Sequence, residues 1–361
     1  MKPGRSIKKR VFVAMSGGVD SSVAAALLRD RGYEVTGLTM RFDPLGHGSR
    51  KPDSRRFSGA EDARRVARQL GIPHLVVDLS RDFSRLVIRN FYREYLSGRT
   101  PNPCVRCNQF MKFGILLKKS IGLKADFLAT GHYARIVGSK KGYLLKRAKD
   151  TGKDQSYFLY RLSQDELKRI IFPLGDYTKA QVRLLAEKFK FDIAAKPDSQ
   201  EICFLPQGGY PDLIGSLGST RIKPGELVDK NGVVVGRHKG VPFYTIGQRQ
   251  GLGIAKGYPV YVTRIDAKNN RISIGSRSET FGRDFLVKDI HFLNKSFKKK
   301  IEIKVKIRYN HKESPAAVYP LEKKVKISFK HPQFAITPGQ SAVFYQRDTV
   351  LGGGIIEKVL D

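Results

Sequence analysis

The stretch Val11-Phe-Val-Ala-Met-Ser-Gly-Gly-Val-Asp-Ser-Ser22 constrains this chain more than any other. Val11 to Met15 is a short apolar run and reads as a buried strand. Ser16 to Ser21 makes a tight turn, and Ser22 to Arg29, rich in Ala, Val and Leu, is helical. A strand, a Gly-rich turn and a helix in this order direct open backbone N–H groups and a helix N-terminus at an anion. Gly17 and Gly18 carry no Cβ, so a phosphate can approach the backbone closely, and Ser16 and Ser21 add hydroxyl donors. No Lys follows the glycines, which excludes the nucleotide loop ending in Gly-Lys-Ser/Thr, and the third glycine of the dinucleotide fingerprint is missing.

Strand-like and helix-like segments alternate over the first part of the chain. Glu34 to Met40, His74 to Asp78 and Asp126 to Thr130 read as strands, Ala60 to Gln69 and Phe83 to Leu96 as helices. That order predicts an α/β fold with a parallel sheet covered on both faces. Arg41 to Phe57, polar and rich in Gly, Pro and basic residues, reads as a mobile loop above the sheet. From about Gly208 helical periodicity gives way to short strands separated by Asn-Gly and Asn-Asn turns, as in Glu226 to Val235 and Val260 to Asp266. A second β-rich unit from about Phe281 holds a basic strand pair, Lys298 to Arg308 and Lys323 to Lys330.

The 67 Lys and Arg residues outnumber the 33 Asp and Glu by enough to give a net charge of +34, which calls for a polyanionic partner. No apolar run approaches the roughly 18 residues of a membrane helix. The basic N-terminus is followed by a strand rather than a signal-peptide core, so the expectation is a cytoplasmic protein without a membrane.

The three cysteines fall in two Pro-led segments, Arg99-Thr-Pro-Asn-Pro-Cys-Val-Arg-Cys-Asn108 and Lys196-Pro-Asp-Ser-Gln-Glu-Ile-Cys-Phe204. Pro101 and Pro103 forbid regular structure, so Cys104 opens a loop-to-helix junction with Cys107 inside the first turn. A helix N-terminus with Arg99 and Arg106 nearby would favour the Cys107 thiolate. Three readings stand side by side: structural zinc, which wants four ligands; a [4Fe–4S] cluster on Cys104, Cys107 and Cys203 with one iron left open; and a redox or persulfide pair using only Cys107 and Cys203.

The first motif resembles the SGGxDS pyrophosphate loop (PP-loop) of ATP pyrophosphatases. Taken with both cysteine segments, Thr130-Gly-His-Tyr-Ala-Arg135, Lys153-Asp-Gln-Ser-Tyr-Phe-Leu159, Phe172-Pro-Leu-Gly175, Tyr244-Thr-Ile-Gly-Gln-Arg-Gln-Gly-Leu-Gly253 and Thr337-Pro-Gly-Gln-Ser-Ala-Val-Phe-Tyr345, the chain resembles the tRNA-specific 2-thiouridylase family end to end. The resemblance implies a PP-loop catalytic domain over residues 1–207, a small β-rich central domain over 208–279 and a tRNA-binding C-terminal β-barrel over 280–361. It implies an ATP site at Ala14, Met15, Ser16, Gly17, Gly18, Val19, Asp20 and Ser21, with Met40 and Gly131. It assigns Cys107 as catalytic cysteine and Cys203 as persulfide carrier. It gives the target base to Asn102, Pro103 and Cys104, and tRNA contacts to His132, Lys153, Asp154, Gln155, Arg308, Tyr309 and Gln340. Many members of the family carry Asp where this chain has Cys104, which also completes the three-cysteine set.

The activity so implied is ATP-dependent 2-thiolation of the wobble uridine of tRNA. ATP with Mg²⁺ adenylates the uridine C2 oxygen, and sulfur arrives from an external protein donor through the Cys203 persulfide, or by way of a [4Fe–4S] cluster. A ligase of another class built on the same loop would not need two Pro-framed cysteine segments. A non-enzymatic RNA-binding protein would not need the loop.

Overall fold

The computed structural model describes residues 8–42, 54–197, 202–218, 222–254, 257–294 and 296–360, with the backbone alone for 54–58. The chain divides into two compact units: Met1–Leu86 with Cys104–Gln200 and Asp348–Val350, and Val87–Pro103 with Glu201–Arg347 and Leu351–Asp361.

The first unit is built on a parallel sheet. Its strands are β1 (Arg10–Ala14), β2 (Glu34–Arg41), β3 (His74–Asp78), β4 (Phe127–Thr130) and β7 (Ile170–Ile171), and the spatial order is β3-β2-β1-β4-β7. A separate antiparallel hairpin, β5 (Ala134–Ser139) and β6 (Gly142–Arg147), follows β4. Val11 and Val13 are fully buried, as strands covered on both faces require. Helices α1 (Val19–Asp30), α2 (Ser54–Leu70) and α3 (Lys179–Lys188) supply the cover. Val23, Ala26 and Leu28 of α1, Ala63 and Val66 of α2 and Val182 and Ala186 of α3 share one core with β1. Sheet order reverses on either side of β1, whose neighbours are β2 and β4. The C-terminal end of such a strand is where an open α/β sheet leaves a crevice for ligands.

The expected helix at Ala60 starts earlier, at Ser54. The remainder of the expected 41–57 loop lies mostly outside the described residues. Phe83 to Leu96 is helical as expected, but the path is not uniform: Ser84–Ile88 takes wide π turns between α-helical pieces.

In the second unit, helix α4 (Gly209–Gly218) precedes a sheet of β8 (Gly225–Val228), β9 (Val234–His238), β10 (Tyr261–Asp266) and β11 (Arg271–Gly275), in the order β10-β11-β8-β9. Asp229 Oδ1 accepts from the amides of Asn231 and Val233 and shapes the Asn-Gly turn of the β8–β9 hairpin. The remaining strands are β12 (Phe281–Phe292), β13 (Ile301–Lys306), β14 (Ser314–Pro320), β15 (Val325–Phe334), β16 (Ser341–Gln346) and β17 (Thr349–Leu360). They run in the order β12-β15-β14-β13-β16-β17, and pairing of β12 with β17 closes a six-stranded barrel. Phe285, Val305, Ile327, Phe329 and Phe344 fill its interior. The two basic strands read from the sequence are both present but are not partners: β14, uncharged from Ser314 to Pro320, lies between them and pairs with each.

Candidate functional site

The phosphate loop begins where β1 ends. Gly17 has φ +77°, and a Cβ there would lie 2.1 Å from the Gly59 carbonyl oxygen of α2, so both the conformation and the space require glycine. Gly18 caps α1 without any side-chain hydrogen bond, which leaves the first N–H groups of a twelve-residue helix open to a ligand. The serines divide the work. Ser21 is buried, and its Oγ accepts from the Ser16 amide at 3.1 Å and donates to the Gly18 carbonyl at 3.1 Å. Ser22 Oγ donates to the same carbonyl at 3.0 Å. Both therefore brace the loop from inside, and Ser16 is exposed, its Oγ 3.4 Å from that of Ser21. Ala14 is half-buried at the end of β1, while Met15 and Val19 are buried and anchor the two ends of the turn. Gly131, just after β4, lies against the start of α1: a Cβ there would come within 2.8 Å of Asp20 C and Ser21 N. Met40 is half-buried on β2, beside Thr39, whose hydroxyl donates to the Met15 carbonyl at 2.8 Å.

Asp20 is the charged member of the loop. Its Oδ1 accepts from the Tyr133 hydroxyl at 2.8 Å and from Lys179 Nζ at 2.7 Å. The Lys179 side chain is 11% exposed and that of Asp20 34%. The carboxylate thus ties α1 to the segment after β4 and to the first turn of α3. Thr178 caps α3 in a capping box with Gln181, and Asp150 Oδ2 accepts from the Lys179 amide at 2.9 Å.

The segment assigned to tRNA between 153 and 155 is woven into the same region. Asp154 is buried, and its carboxylate accepts from the amides of Ala148 and Ser156 and from the Ser156 hydroxyl. Gln155 pairs twice with the Tyr133 backbone, its amide donating to the Tyr133 carbonyl at 2.8 Å and its Oε1 accepting from the Tyr133 amide at 3.0 Å. Lys153 is half-buried. His132 is buried between Phe113 and Phe172, with Nδ1 2.7 Å from Thr130 Oγ1 and Nε2 3.4 Å from Lys112 Nζ. Burial, reinforced by the Lys112 charge, holds its pKa well below the usual histidine value, so the ring is neutral.

Cys104 and Cys107 lie on a helical run that starts at Pro103, one residue before the expected junction. Pro103–Arg106 forms the first α turn, with Cys104 in it, and Cys107 opens a π-helical stretch to Leu116. Both thiols are half-buried. Wide turns of this kind recur at functional sites. Arg106 Nε donates to the Leu86 carbonyl at 2.9 Å, and the guanidinium lies over the Phe110 ring at 4.8 Å. Arg99 makes a two-point pair with Glu94, at 2.7 and 2.9 Å, so its charge is met by Glu94 rather than reserved for a thiolate.

In the second unit Cys203 is exposed in a turn closed by a Leu205 amide to Ile202 carbonyl bond, and buried Phe204 stacks edge-on against Phe91 to hold it. Residues 198–201 ahead of it lie outside the described residues. Among the described residues no three His, Cys, Asp or Glu side chains gather as a metal set, and no step is built on a cluster.

The Pro101, Asn102 and Pro103 segment is gripped by the Thr337–Gln340 turn of the barrel. The Thr100 amide donates to the Pro338 carbonyl at 2.9 Å. Gln340 Nε2 donates to the carbonyls of Thr100 and Pro101 at 3.0 and 2.9 Å. Asn102 is half-buried and Pro103 buried. Arg308 Nη2 donates to the Ile246 carbonyl at 2.9 Å and to the Thr337 hydroxyl. Tyr309 packs its ring under Lys306 Nζ at 5.3 Å.

Family comparisons agree along the whole chain. Residues 9–207 match the family model described as tRNA methyl transferase HUP domain, 217–276 the tRNA methyl transferase PRC-barrel domain and 282–356 the aminomethyltransferase beta-barrel domain. The tRNA-specific 2-thiouridylase MnmA of Acetivibrio thermocellus is 47% identical over 97% of this chain and 99% of its own length. That of Carboxydothermus hydrogenoformans is 50% identical over 98% and 99%. The chain belongs to the tRNA-specific 2-thiouridylase family. Among solved structures, a 4-thiouridine synthetase–RNA complex with bound ATP matches at a TM-score of 0.37 and 17% identity, over 54% of this chain and 45% of that one.

For a 2-thiouridylase, sequence reasoning missed Lys179, Tyr133 and Asp150. Tyr133 was in view inside Thr130–Arg135, but nothing in the motif says that its hydroxyl reaches Asp20. Lys179 carries only the signal of a capping box, Thr178-Lys-Ala-Gln181, which marks a helix start and not a loop 159 residues away.

Proposed function

We propose that this 2-thiouridylase uses ATP to convert the wobble uridine of tRNA into 2-thiouridine. The observation that carries the proposal is the loop of Ser16 to Ser21: a braced turn, open helix N–H groups and a single carboxylate pinned to one side. It is built for the phosphates of a nucleotide, and the cysteines carried elsewhere on the chain give it a sulfur chemistry.

The uridine O2 attacks the α-phosphorus, the bond to the β-phosphate oxygen breaks and pyrophosphate leaves, giving an O2-adenylated base. The N–H groups of Gly17 to Asp20 and the positive end of α1 meet the developing phosphate charge. Mg²⁺ supplies further charge neutralisation when bound. Asp20 is the loop's carboxylate that would help to hold it. Asn102 and Pro103 receive the base. An external protein donor leaves a persulfide on exposed Cys203. The Cys107 thiolate attacks the inner sulfur, the S–S bond of the persulfide breaks, and hydrosulfide is released beside the activated base. Hydrosulfide adds at C2, AMP departs with the former O2, and a Cys107–Cys203 disulfide remains for an external dithiol to reduce. The basic barrel and the 153–155 segment bind the tRNA backbone.

The test is product balance. With tRNA, ATP and a sulfide source, AMP, pyrophosphate and 2-thiouridine should form one for one, and omission of tRNA should stop AMP formation. AMP release at an unchanged rate without tRNA, or thiolation without AMP, refutes the proposal.

A further inference from the structure

Asp20 is held by two donors, and each of them hangs from one surface turn. Tyr133 is 2% exposed, and its backbone is fixed at both its amide and its carbonyl by Gln155. Lys179 is fixed at its amide by Asp150 Oδ2. Asp150 and Gln155 are the two ends of the same turn, whose interior is locked by Asp150 Oδ1 accepting from the Gly152 amide at 3.1 Å and by the Lys153 amide donating to the Asp150 carbonyl at 3.1 Å. The base of the turn is buried at Asp154, and its tip, Thr151 and Gly152, is exposed with Lys149 beside it. The path from tip to phosphate loop is therefore two short arms that meet on one oxygen, Asp20 Oδ1: Gln155 to Tyr133, at 2.8 Å from that oxygen, and Asp150 to Lys179, at 2.7 Å.

We propose that Tyr133, Lys179 and Asp150 are positioning residues of the phosphate loop, through which RNA seated on the 150–155 turn tightens the loop on its nucleotide. This rests on the reading that the turn meets tRNA and the loop meets ATP. None of the three has to touch either substrate. A turn that fixes both donors of one carboxylate sets where α1 begins, because Asp20 is the second residue of that helix. The open N–H groups of the first turn move with it. RNA that immobilises the turn removes freedom the loop would otherwise lose on binding phosphate, so each ligand strengthens the other by the same factor.

The test measures binding of α,β-methylene ATP, which cannot lose pyrophosphate, to the full chain with and without saturating tRNA. Tyr133→Phe removes one hydroxyl, and Asp150→Ala removes the acceptor for the Lys179 amide. The wild-type protein should bind the analogue about tenfold tighter with tRNA present, a typical coupling. In each variant this factor should fall below about threefold, and in Tyr133→Phe, which leaves the turn intact, tRNA affinity without nucleotide should be unchanged. A variant that melts earlier but keeps the full factor shows a merely structural role and overturns the inference, as does a wild-type protein with no factor at all. Should Asp150→Ala fail to fold, Tyr133→Phe decides alone. Failure of the wild-type protein to bind either ligand refutes the proposed function instead.

Discussion

Replacement of Asp20 separates an anchor from a metal ligand. In Asp20→Asn the loop keeps its shape and its hydrogen-bonding atoms but leaves Lys179 with its charge in a site where 11% of its side chain is exposed. Breaking a fully buried pair costs about 3–5 kcal/mol and a surface pair about 0–1 kcal/mol. With Asp20 34% exposed the cost should lie between, at about 2 kcal/mol, or roughly 4–8 °C in the melting of a unit of this size. Lys179→Met should cost less, since Asp20 retains the Tyr133 hydroxyl and water. The double variant Asp20→Asn, Lys179→Met should be more stable than the sum of the singles by about 1–2 kcal/mol, because no charge is stranded. Adenylation should not recover with stability, because the double variant still lacks the loop's carboxylate, and Asp20→Ala should lower pyrophosphate release by about 10²-fold or more. Tight tRNA binding should persist. Differential scanning calorimetry and a pyrophosphate-release assay on the parent and these variants give both readings. If Asp20→Asn melts with the parent and releases pyrophosphate at the parental rate, the anchor reasoning is wrong.

Other outcomes follow from single contacts. His132 is held neutral below its ordinary value near 6.5, so the unfolded chain takes up a proton there that the native protein refuses; stability is present above that pH and is lost on acidification, by up to about 1.4 kcal/mol per pH unit below it. Urea midpoints of His132→Phe should therefore drop less between pH 7.5 and 5.5 than those of the parent. Both amide protons of Gln340 are used on Thr100 and Pro101, which leaves it only an acceptor that a phosphate oxygen cannot use. Gln340→Ala should leave the salt dependence of tRNA binding unchanged and lower kcat about tenfold by loosening the 100–103 segment; a smaller salt slope with normal kcat would show direct contact. Cys203→Ser should stop thiolation but still form adenylated tRNA, Cys107→Ser should accumulate a Cys203 persulfide seen by mass spectrometry, and Cys104→Ser should retain substantial activity. Loss of all turnover in Cys104→Ser would contradict the two-cysteine route. The affinity for tRNA should fall with salt by roughly 0.7 to 0.9 in log–log slope for each phosphate neutralised, and a flat line would detach the charge from RNA.

The parts of the site that were legible in the sequence are the local ones. Strand, glycine turn and helix are consecutive, so Val11 to Arg29 announces its geometry without help from the rest of the chain. The C-terminal strands announce their faces by alternation, as Ile303 and Val305 turn inward while Glu302 and Lys304 stay exposed. Their order was not legible: charge made β13 and β15 conspicuous, and uncharged β14, which lies between them, carried no such mark. The π turns after Arg106 were also hidden, since a wide turn arises from tertiary packing rather than from a residue pattern. The contacts that give Asp20 its environment span 113 and 159 residues, and no periodicity carries over such distances.

Net charge marks the limit of what composition can say. A value of +34 counts every guanidinium and ammonium alike, but many of these groups are committed to internal bonds. Arg99 is taken by Glu94, Arg106 by the Leu86 carbonyl and Phe110, Arg308 by Ile246 and Thr337, Arg135 and Lys146 by Asp348, and Lys179 by Asp20. Of these, Arg308 is one that the family resemblance gives to RNA, and it already spends a nitrogen on the turn that grips the 100–103 segment. An arginine has five N–H donors, so one guanidinium can bond to the turn and to a phosphate at once. A charge used in this way places the RNA relative to the 100–103 segment rather than only attracting it. Loss of Arg308 should accordingly cost more in turnover than one unit of charge costs in affinity, whereas exposed lysines of the barrel, such as Lys298 and Lys299, should cost affinity alone.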